Sequence, residues 1–256
     1  MRGIKPLLAL AVLSLLGPAV ASAVTYTGSL DYSPFSYHDD LRIHGRQWPW
    51  YDLEFSWNVT DEDASHPAFP WRYDYRLKVR NPWPWGSLKG PINYVIIELS
   101  PGVTMDDITG VRGAGVGPAA VGWHPAGPDN PNMPEDLYGI RFERTGASYD
   151  MSWSFYANRN PVWGDFYAHN CGNSPANTAF NWHDPCHDPE EGFVPSDTDP
   201  LAPPSAGDGC NHYFHHILRP DREGPAPSPI PEPLTMVGVF AGAACVAGRV
   251  IRRRRT

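Results

Sequence analysis

The sequence predicts a mainly β protein: an antiparallel β-sandwich of jelly-roll-like character, with one helix at each end of the chain. Three observations predict it. Tyr51-Asp52-Leu53-Glu54-Phe55-Ser56-Trp57 alternates apolar and polar residues strictly, and Tyr73-Asp74-Tyr75-Arg76-Leu77-Lys78-Val79 repeats that period of two. A strand with such alternation lays one face on a core and leaves the other in water. The 29 prolines and 24 glycines punctuate the chain often enough to stop most helices. Helical periodicity is scarce between the two ends.

Residues 1–23 read as a secretory signal peptide. Arg2 and Lys5 make a basic start, residues 7–16 are apolar apart from Ser14, and Gly17-Pro18 breaks the helix. Ala21-Ser22-Ala23 then places small residues where a signal peptidase cuts. The apolar run makes about 15 Å of helix, too short to stay across a bilayer.

Strand character recurs at 51–59, 73–79, 94–99, 137–142, 149–156, 162–168, 178–182 and 213–218, all rich in aromatic or β-branched residues. Segments 161–168 and 178–182 are expected to pair as a hairpin with Cys171 in its tip. Many short strands with turns between them make one sandwich domain over 24–222. Residues 223–230 are Pro-rich and read as a semi-extended stalk.

The last segment, 231–256, has its own grammar. Pro231-Glu232-Pro233 precedes the uncharged run 234–248, and Arg249 with Arg252, Arg253, Arg254 and Arg255 follows. A helix over about 234–251 is about 27 Å long, near the hydrocarbon thickness of a bilayer, so a single transmembrane span is expected there. Arg249 can extend its aliphatic stem and keep its charge at the interface. The positive-inside rule holds the arginine block in the cytoplasm and everything before Pro231 outside. Gly238, Gly242, Ala243, Ala244 and Gly248 make the span weakly hydrophobic, which suits a handling signal better than a lifelong anchor.

This layout resembles the PEP-CTERM sorting tag: a tripeptide, a helix and a basic end, in that order. The resemblance implies recognition at or near Pro231-Glu232-Pro233 by an exosortase, an intramembrane cysteine transpeptidase. It also implies transient anchoring in the inner membrane and transfer to the cell surface or beyond. An ordinary single-span anchor on a Pro-rich stalk is the alternative. The body resembles a group of PEP-CTERM exported proteins of no established activity through several segments. These are Val95-Ile96-Ile97-Glu98-Leu99-Ser100-Pro101, Asn130-Pro131-Asn132-Met133-Pro134 with Leu137-Tyr138-Gly139-Ile140-Arg141-Phe142, Asn160-Pro161-Val162-Trp163-Gly164-Asp165-Phe166-Tyr167-Ala168, and His216-Ile217-Leu218-Arg219-Pro220-Asp221. That resemblance implies a β-sandwich and carries no catalytic residues. The chain departs from the group in its cysteines, its histidines and its loop from Cys186 to Gly209.

Charge narrows the partners. Of the 20 Lys and Arg, two lie in the signal and five in the tail; of the 28 Asp and Glu, only Glu232 lies outside the body. The exported part therefore keeps 13 basic and 27 acidic residues, a net charge near −14 that repels nucleic acid and anionic lipid. Export also favours disulfides. Cys171, Cys186 and Cys210 allow one bridge, and Cys186–Cys210 is expected, because Cys171 in a hairpin tip stands well over 15 Å from the hairpin's base.

Four constellations bear on chemistry. No Gly-x-Ser-x-Gly elbow or His-Glu-x-x-His motif is present, and Gly110, Gly113, Gly115 and Gly117 lack the Lys-Ser/Thr of a phosphate loop, so they read as a surface turn. His169, Cys171, His183, Cys186, His187, Cys210, His212, His215 and His216 offer zinc-type ligands at spacings that match no compact zinc motif. Asp39-Asp40, Asp61-Glu62-Asp63 and Asp106-Asp107 are loop carboxylates that make calcium, beside the Cys/His set, a metal alternative to no cofactor. Trp48-Pro49-Trp50 and Trp83-Pro84-Trp85 are the same tripeptide. Proline fixes the backbone between two indoles, which makes Trp48, Trp50, Trp83 and Trp85 candidate glycan-binding residues, although burial at the ends of the core is the commoner role of such rings and the favoured reading. The expectation is a non-enzymatic surface or matrix protein contacting exopolysaccharide. A secreted glycan-active enzyme on a sandwich scaffold is the second class.

Overall fold

A computed structural model describes residues 23–35, 40–63, 65–82, 90–170, 175–181 and 216–220. All of them fall in one unit of the chain, Met1–Arg222; the second unit, Glu223–Thr256, lies outside the described residues, as does the signal segment up to residue 22. Among the described residues no helix is long and apolar enough to cross a membrane. The expected signal helix, within residues 1–22, and the expected span at 234–251 lie outside them.

The described chain is mainly β, and its paired strands are antiparallel. In order they are β1 (Thr25–Tyr32), β2 (Leu41–His44), β3 (Asp52–Thr60), β4 (Trp71–Arg80), β5 (Tyr94–Glu98), β6 (Ile108–Arg112), β7 (Val116–His124), β8 (Leu137–Arg144), β9 (Asp150–Ala157), β10 (Pro161–Gly164), β11 (Phe166–Asn170), β12 (Asn177–Asn181) and β13 (Ile217–Pro220). One sheet runs β1-β3-β4-β9-β6, a second runs β2-β12-β11-β5-β8-β7, and β10 pairs with β13.

The period-two pattern explains how the sheets meet. Leu53, Phe55, Trp57 and Val59 of β3 face Val79, Leu77, Tyr75 and Tyr73 of β4 across the ladder, and all eight are buried. Met151, Trp153 and Phe155 extend that layer on β9. The facing layer comes from Val95, Ile97, Ile140, Phe142, Phe166 and Ala168, in the same hydrophobic cluster. Rings cross the interface directly: Phe55 stacks on Phe166 with centroids 4.1 Å apart, and Phe142 lies 5.5 Å from Trp153. Two sheets sharing one core in this way form a sandwich, each large side chain contributing about 1.5–3 kcal/mol by burial.

The six-stranded sheet is covered on its outer face as well. Tyr94, Ile96, Tyr167 and Phe180 form a smaller cluster with Met133 and Leu137. Segment 125–133 folds over it, because Tyr94 O–H donates to Asn130 Oδ1 at 2.8 Å and Tyr167 O–H donates to the Pro131 carbonyl at 2.7 Å. Asn132 adopts φ 60°, a conformation Asn tolerates better than most residues. His169 is buried in this layer beside Tyr94, and burial with the nearby Arg141 charge lowers its pKa to about 4.

The structure refines the strand expectations. Segments 51–59, 73–79, 94–99, 137–142 and 149–156 are β3, β4, β5, β8 and β9 with ends moved by one or two residues. The 162–168 segment is two strands, broken at Asp165. Its second half, β11, pairs with β12 as the hairpin anticipated, whereas β10 pairs with β13. The break has a physical cause. Asp165 Oδ1 accepts from Asn181 Nδ2 at 2.5 Å and contacts His216 Nδ1 at 3.0 Å, while Asp165 N–H donates to Glu98 Oε2 at 2.8 Å. Arg219 pairs with Glu98 at 3.2 Å, so β13 is tied down by a buried polar network. Burial alone would push the His216 pKa down, but the Asp165 hydrogen bond and the Asp165 and Glu98 charges outweigh it and raise the pKa.

Four strands were not anticipated: β1, β2, β6 and β7. The glycine-rich stretch read as a surface turn is in fact β6, a tight corner and the start of β7, passing from one sheet to the other.

Candidate ligand-binding face of the five-stranded sheet

The residues that alternate with the core on β3, β4 and β9 all point away from it. They are polar: Glu54, Ser56 and Asn58 on β3, Asp74, Arg76 and Lys78 on β4, and Asp150, Ser152 and Ser154 on β9. Register lines them up across the strands. Ser56 pairs with Arg76 and Arg76 with Ser152, forming one row; Asn58, Asp74, Ser154 and Arg112 form the next. These rows floor a groove of about 570 Å³ whose wall is Arg112, Gly113 and Ala114 at the β6–β7 corner.

The long side chains are held in place by ion pairs. Arg76 grips Asp150 with both Nε and Nη2, at 2.9 and 2.5 Å, and this hydrogen bonding holds the Asp150 carboxyl below its usual pKa. Arg72 holds Asp74 Oδ1 at 2.9 and 3.1 Å, and Arg80 pairs with Glu54. Such half-exposed pairs contribute about 0–1 kcal/mol each to stability, so their effect is to order the face. Ser56 and Ser152 flank Arg76 with hydroxyls that make no hydrogen bond among the described residues.

The corner that walls the groove is tightly built. Gly110 has φ 61°, and a Cβ there would lie 2.9 Å from Tyr156 Cδ2. A Cβ on Gly113 would lie 2.5 Å from the Ser152 carbonyl oxygen. Both positions need glycine, and the β6–β9 register shifts between Thr109 and Arg112, as at a β-bulge. Behind the corner, Tyr156 O–H donates to Asp63 Oδ2 at 2.5 Å and His66 stacks on the Tyr156 ring at 3.9 Å. The Tyr156 and Ser65 hydrogen bonds hold the Asp63 carboxyl well below the usual carboxylate range.

Further along the same face lies a smaller recess of about 280 Å³, lined by Asp31, Tyr32, Ser33, Asp52, Glu54 and Arg80. Burial raises the Asp31 pKa; a hydrogen bond from Ser29 works against it, and the Glu54 and Asp40 charges add to it. The 3-10 turn Trp48–Trp50 is tied to this recess, because Tyr32 O–H donates to the Pro49 carbonyl at 3.0 Å.

The anticipated site residues divide here. Trp50 is 65% exposed, but Trp48 is fully buried and offers no face to a sugar. Its Nε1 donates to the Gly90 carbonyl at 2.7 Å, and Asn177 Oδ1 accepts from the backbone N–H groups of Gln47 and Trp48 at 2.8 and 3.1 Å. The core reading therefore holds for Trp48. Trp83, Trp85, Cys186, Cys210, Pro231, Glu232, Pro233 and Arg252 to Arg255 lie outside the described residues.

The acidic loops are engaged within the protein. Asp40 accepts from Asp31 N–H, Asp61 from Val24 N–H, and Asp107 completes a capping box with Thr104 while pairing with Arg159 at 2.6 Å. Among the described residues no group of three or more His, Cys, Asp or Glu is placed to hold a metal.

The groove residues themselves escaped the sequence reading, although their signal was present. Ser56, Asp74 and Arg76 belong to the polar half of the two alternating segments whose apolar half predicted the core, whereas Ser152, Ser154 and Arg112 come from β9 and β6. Chemically, the groove offers hydroxyl, amide and guanidinium groups, and among the described residues that line it Asp74 is the one carboxylate, already bound by Arg72. No family model, no curated protein and no solved structure matches this chain.

Proposed function

We propose that this chain is an exported, exosortase-sorted protein of the cell surface or extracellular matrix whose sandwich binds exopolysaccharide without acting on it. The groove across the five-stranded sheet carries the binding half of this reading: its open hydroxyls and pre-ordered arginines match a hydroxyl-rich ligand. The exposed Trp50, in the turn whose Pro49 carbonyl accepts from Tyr32 of the second recess, supports it further. Signal peptidase and exosortase are the processing partners implied by the two ends of the chain, with brief residence in the inner membrane. A single groove carboxylate held by an arginine favours binding over hydrolysis, since glycoside hydrolysis ordinarily needs two facing carboxyl groups.

Affinity electrophoresis of the full chain in non-ionic detergent, through gels containing the host's own exopolysaccharide, tests the binding half. Retardation is expected. Arg76→Ala combined with Ser152→Ala should weaken it by about 10-fold or more, the value of a lost hydrogen bond to a charged group. Unaltered mobility of the wild-type chain would contradict the reading.

A further inference from the structure

We infer that the groove takes an acidic polysaccharide, one bearing ring carboxylates, and that Arg112 receives the carboxylate. This rests on the proposed glycan-binding role and names its ligand class.

The cations of this face differ in how their charge is used. Arg72 is paired with Asp74 and Asp63, Arg76 with Asp150, and Arg80 with Glu54. Lys78 stands between Glu54 and Asp150 in the cross-strand register. Arg112 differs. Among the described residues it meets no carboxylate; its Nε donates to Ser154 Oγ at 3.0 Å and its Nη2 to Tyr156 O–H at 3.4 Å. Both acceptors are neutral, and Asp63 is reached only through the Tyr156 hydroxyl, which donates to it at 2.5 Å, so Arg112 is aimed without a direct carboxylate contact. A guanidinium carries five N–H donors in a planar fork, and two are used here. The end-on edge, Nη1 with the second hydrogen of Nη2, remains for a bidentate carboxylate.

Its position is also specifically built. The left-handed Gly110 and the crowded Gly113 press the β6–β7 corner against β9, and the register shift between them re-aims Arg112 across from Ser154. An arginine serving only to pack on Tyr156 would gain little, since its guanidinium carbon is 5.8 Å from the ring centroid, close to the limit of a cation–π contact. Arg72 and Arg76 are neutralised by Asp74 and Asp150, so Arg112 is the groove cation that meets no carboxylate among the described residues, in a body near −14. At physiological ionic strength screening over about 8 Å confines the repulsion of distant acidic groups, which leaves the groups in the groove to decide what docks.

The test compares polygalacturonate with its fully methyl-esterified form, polymers of one backbone that differ only in the carboxylate charge. Titration of the full chain in non-ionic detergent should show the acid form binding at least 10-fold more tightly. Arg112→Gln should weaken binding of the acid form by about 10- to 100-fold and that of the ester by no more than about 3-fold, since only the acid form loses a charged partner. Arg112→Lys should restore part of the loss, because charge returns without the fork. Equal affinity for the two polymers, or an equal loss for both in Arg112→Gln, overturns the inference while the glycan-binding role stands. Binding of neither polymer also overturns it, and retardation by the host exopolysaccharide then decides separately whether the broader role survives.

Discussion

Phe55→Ala is expected to destabilise the sandwich by about 3–5 kcal/mol, the range for removing a fully buried aromatic ring. Phe55 has no exposed surface and sits where the two sheets touch, stacked on Phe166 of the opposite sheet and 5.9 and 6.1 Å from Tyr75 and Trp153 of its own. Those neighbours belong to paired strands and have little freedom to collapse into the space, so transfer and cavity contributions add. For a domain of this size each kcal/mol moves the melting temperature by about 2–4 °C, so a fall of about 10 °C is expected. Denaturant and thermal melts of the purified chain measure it. A change under about 1 kcal/mol would mean that the two sheets do not share this core.

The second large effect is acid destabilisation centred on His169. Its folded pKa is about 4, against an ordinary value of 6.5 in the unfolded chain. The unfolded state therefore takes up the proton first. Above pH 6.5 neither state is protonated at His169 and the residue has no effect on the pH dependence; between pH 6.5 and 4 stability falls, by up to about 3 kcal/mol. His216 acts in a different window. Its folded pKa is raised, so its contribution is complete below pH 6.5 and is lost as the pH rises through the folded value. Stability measured against pH should thus peak near 6.5. His169→Gln should make the acid limb between pH 4 and 6.5 shallower without abolishing it, because burial also lowers the pKa values of His44 and His124, and should leave the alkaline limb in place. An acid limb unchanged in His169→Gln would show that other groups govern it.

Much of this fold was legible because its central strands obey a strict period. On β3 and β4 every apolar residue faces the core, and a one-residue slip would have exposed the whole set, so pattern and structure cannot disagree there. The stretch 108–124 was not legible. Glycine, alanine and proline have low strand propensity, and what makes Val116–His124 a strand is its pairing with β8, which local sequence does not display. The two indoles of Trp48-Pro49-Trp50 show a similar limit. Their chemistry is identical, yet one is buried and the other is 65% exposed, because Gly90 and Asn177 arrive from distant parts of the chain to fix Trp48. The groove was hidden for another reason. Serine, asparagine and arginine on an outward face read as ordinary solvated positions until register sets Ser56, Arg76 and Ser152 in one row.

Export and sorting through the tail, with the sandwich at work outside the cell, leave a signature in the mature protein's mass. Intact mass analysis of the protein recovered from the cell exterior should find a species beginning at Val24 and ending near Pro231, without the arginine block, and absent from the exterior of exosortase-deficient cells. A mature surface protein that retains Arg252 to Arg255, in either strain, would contradict this sorting.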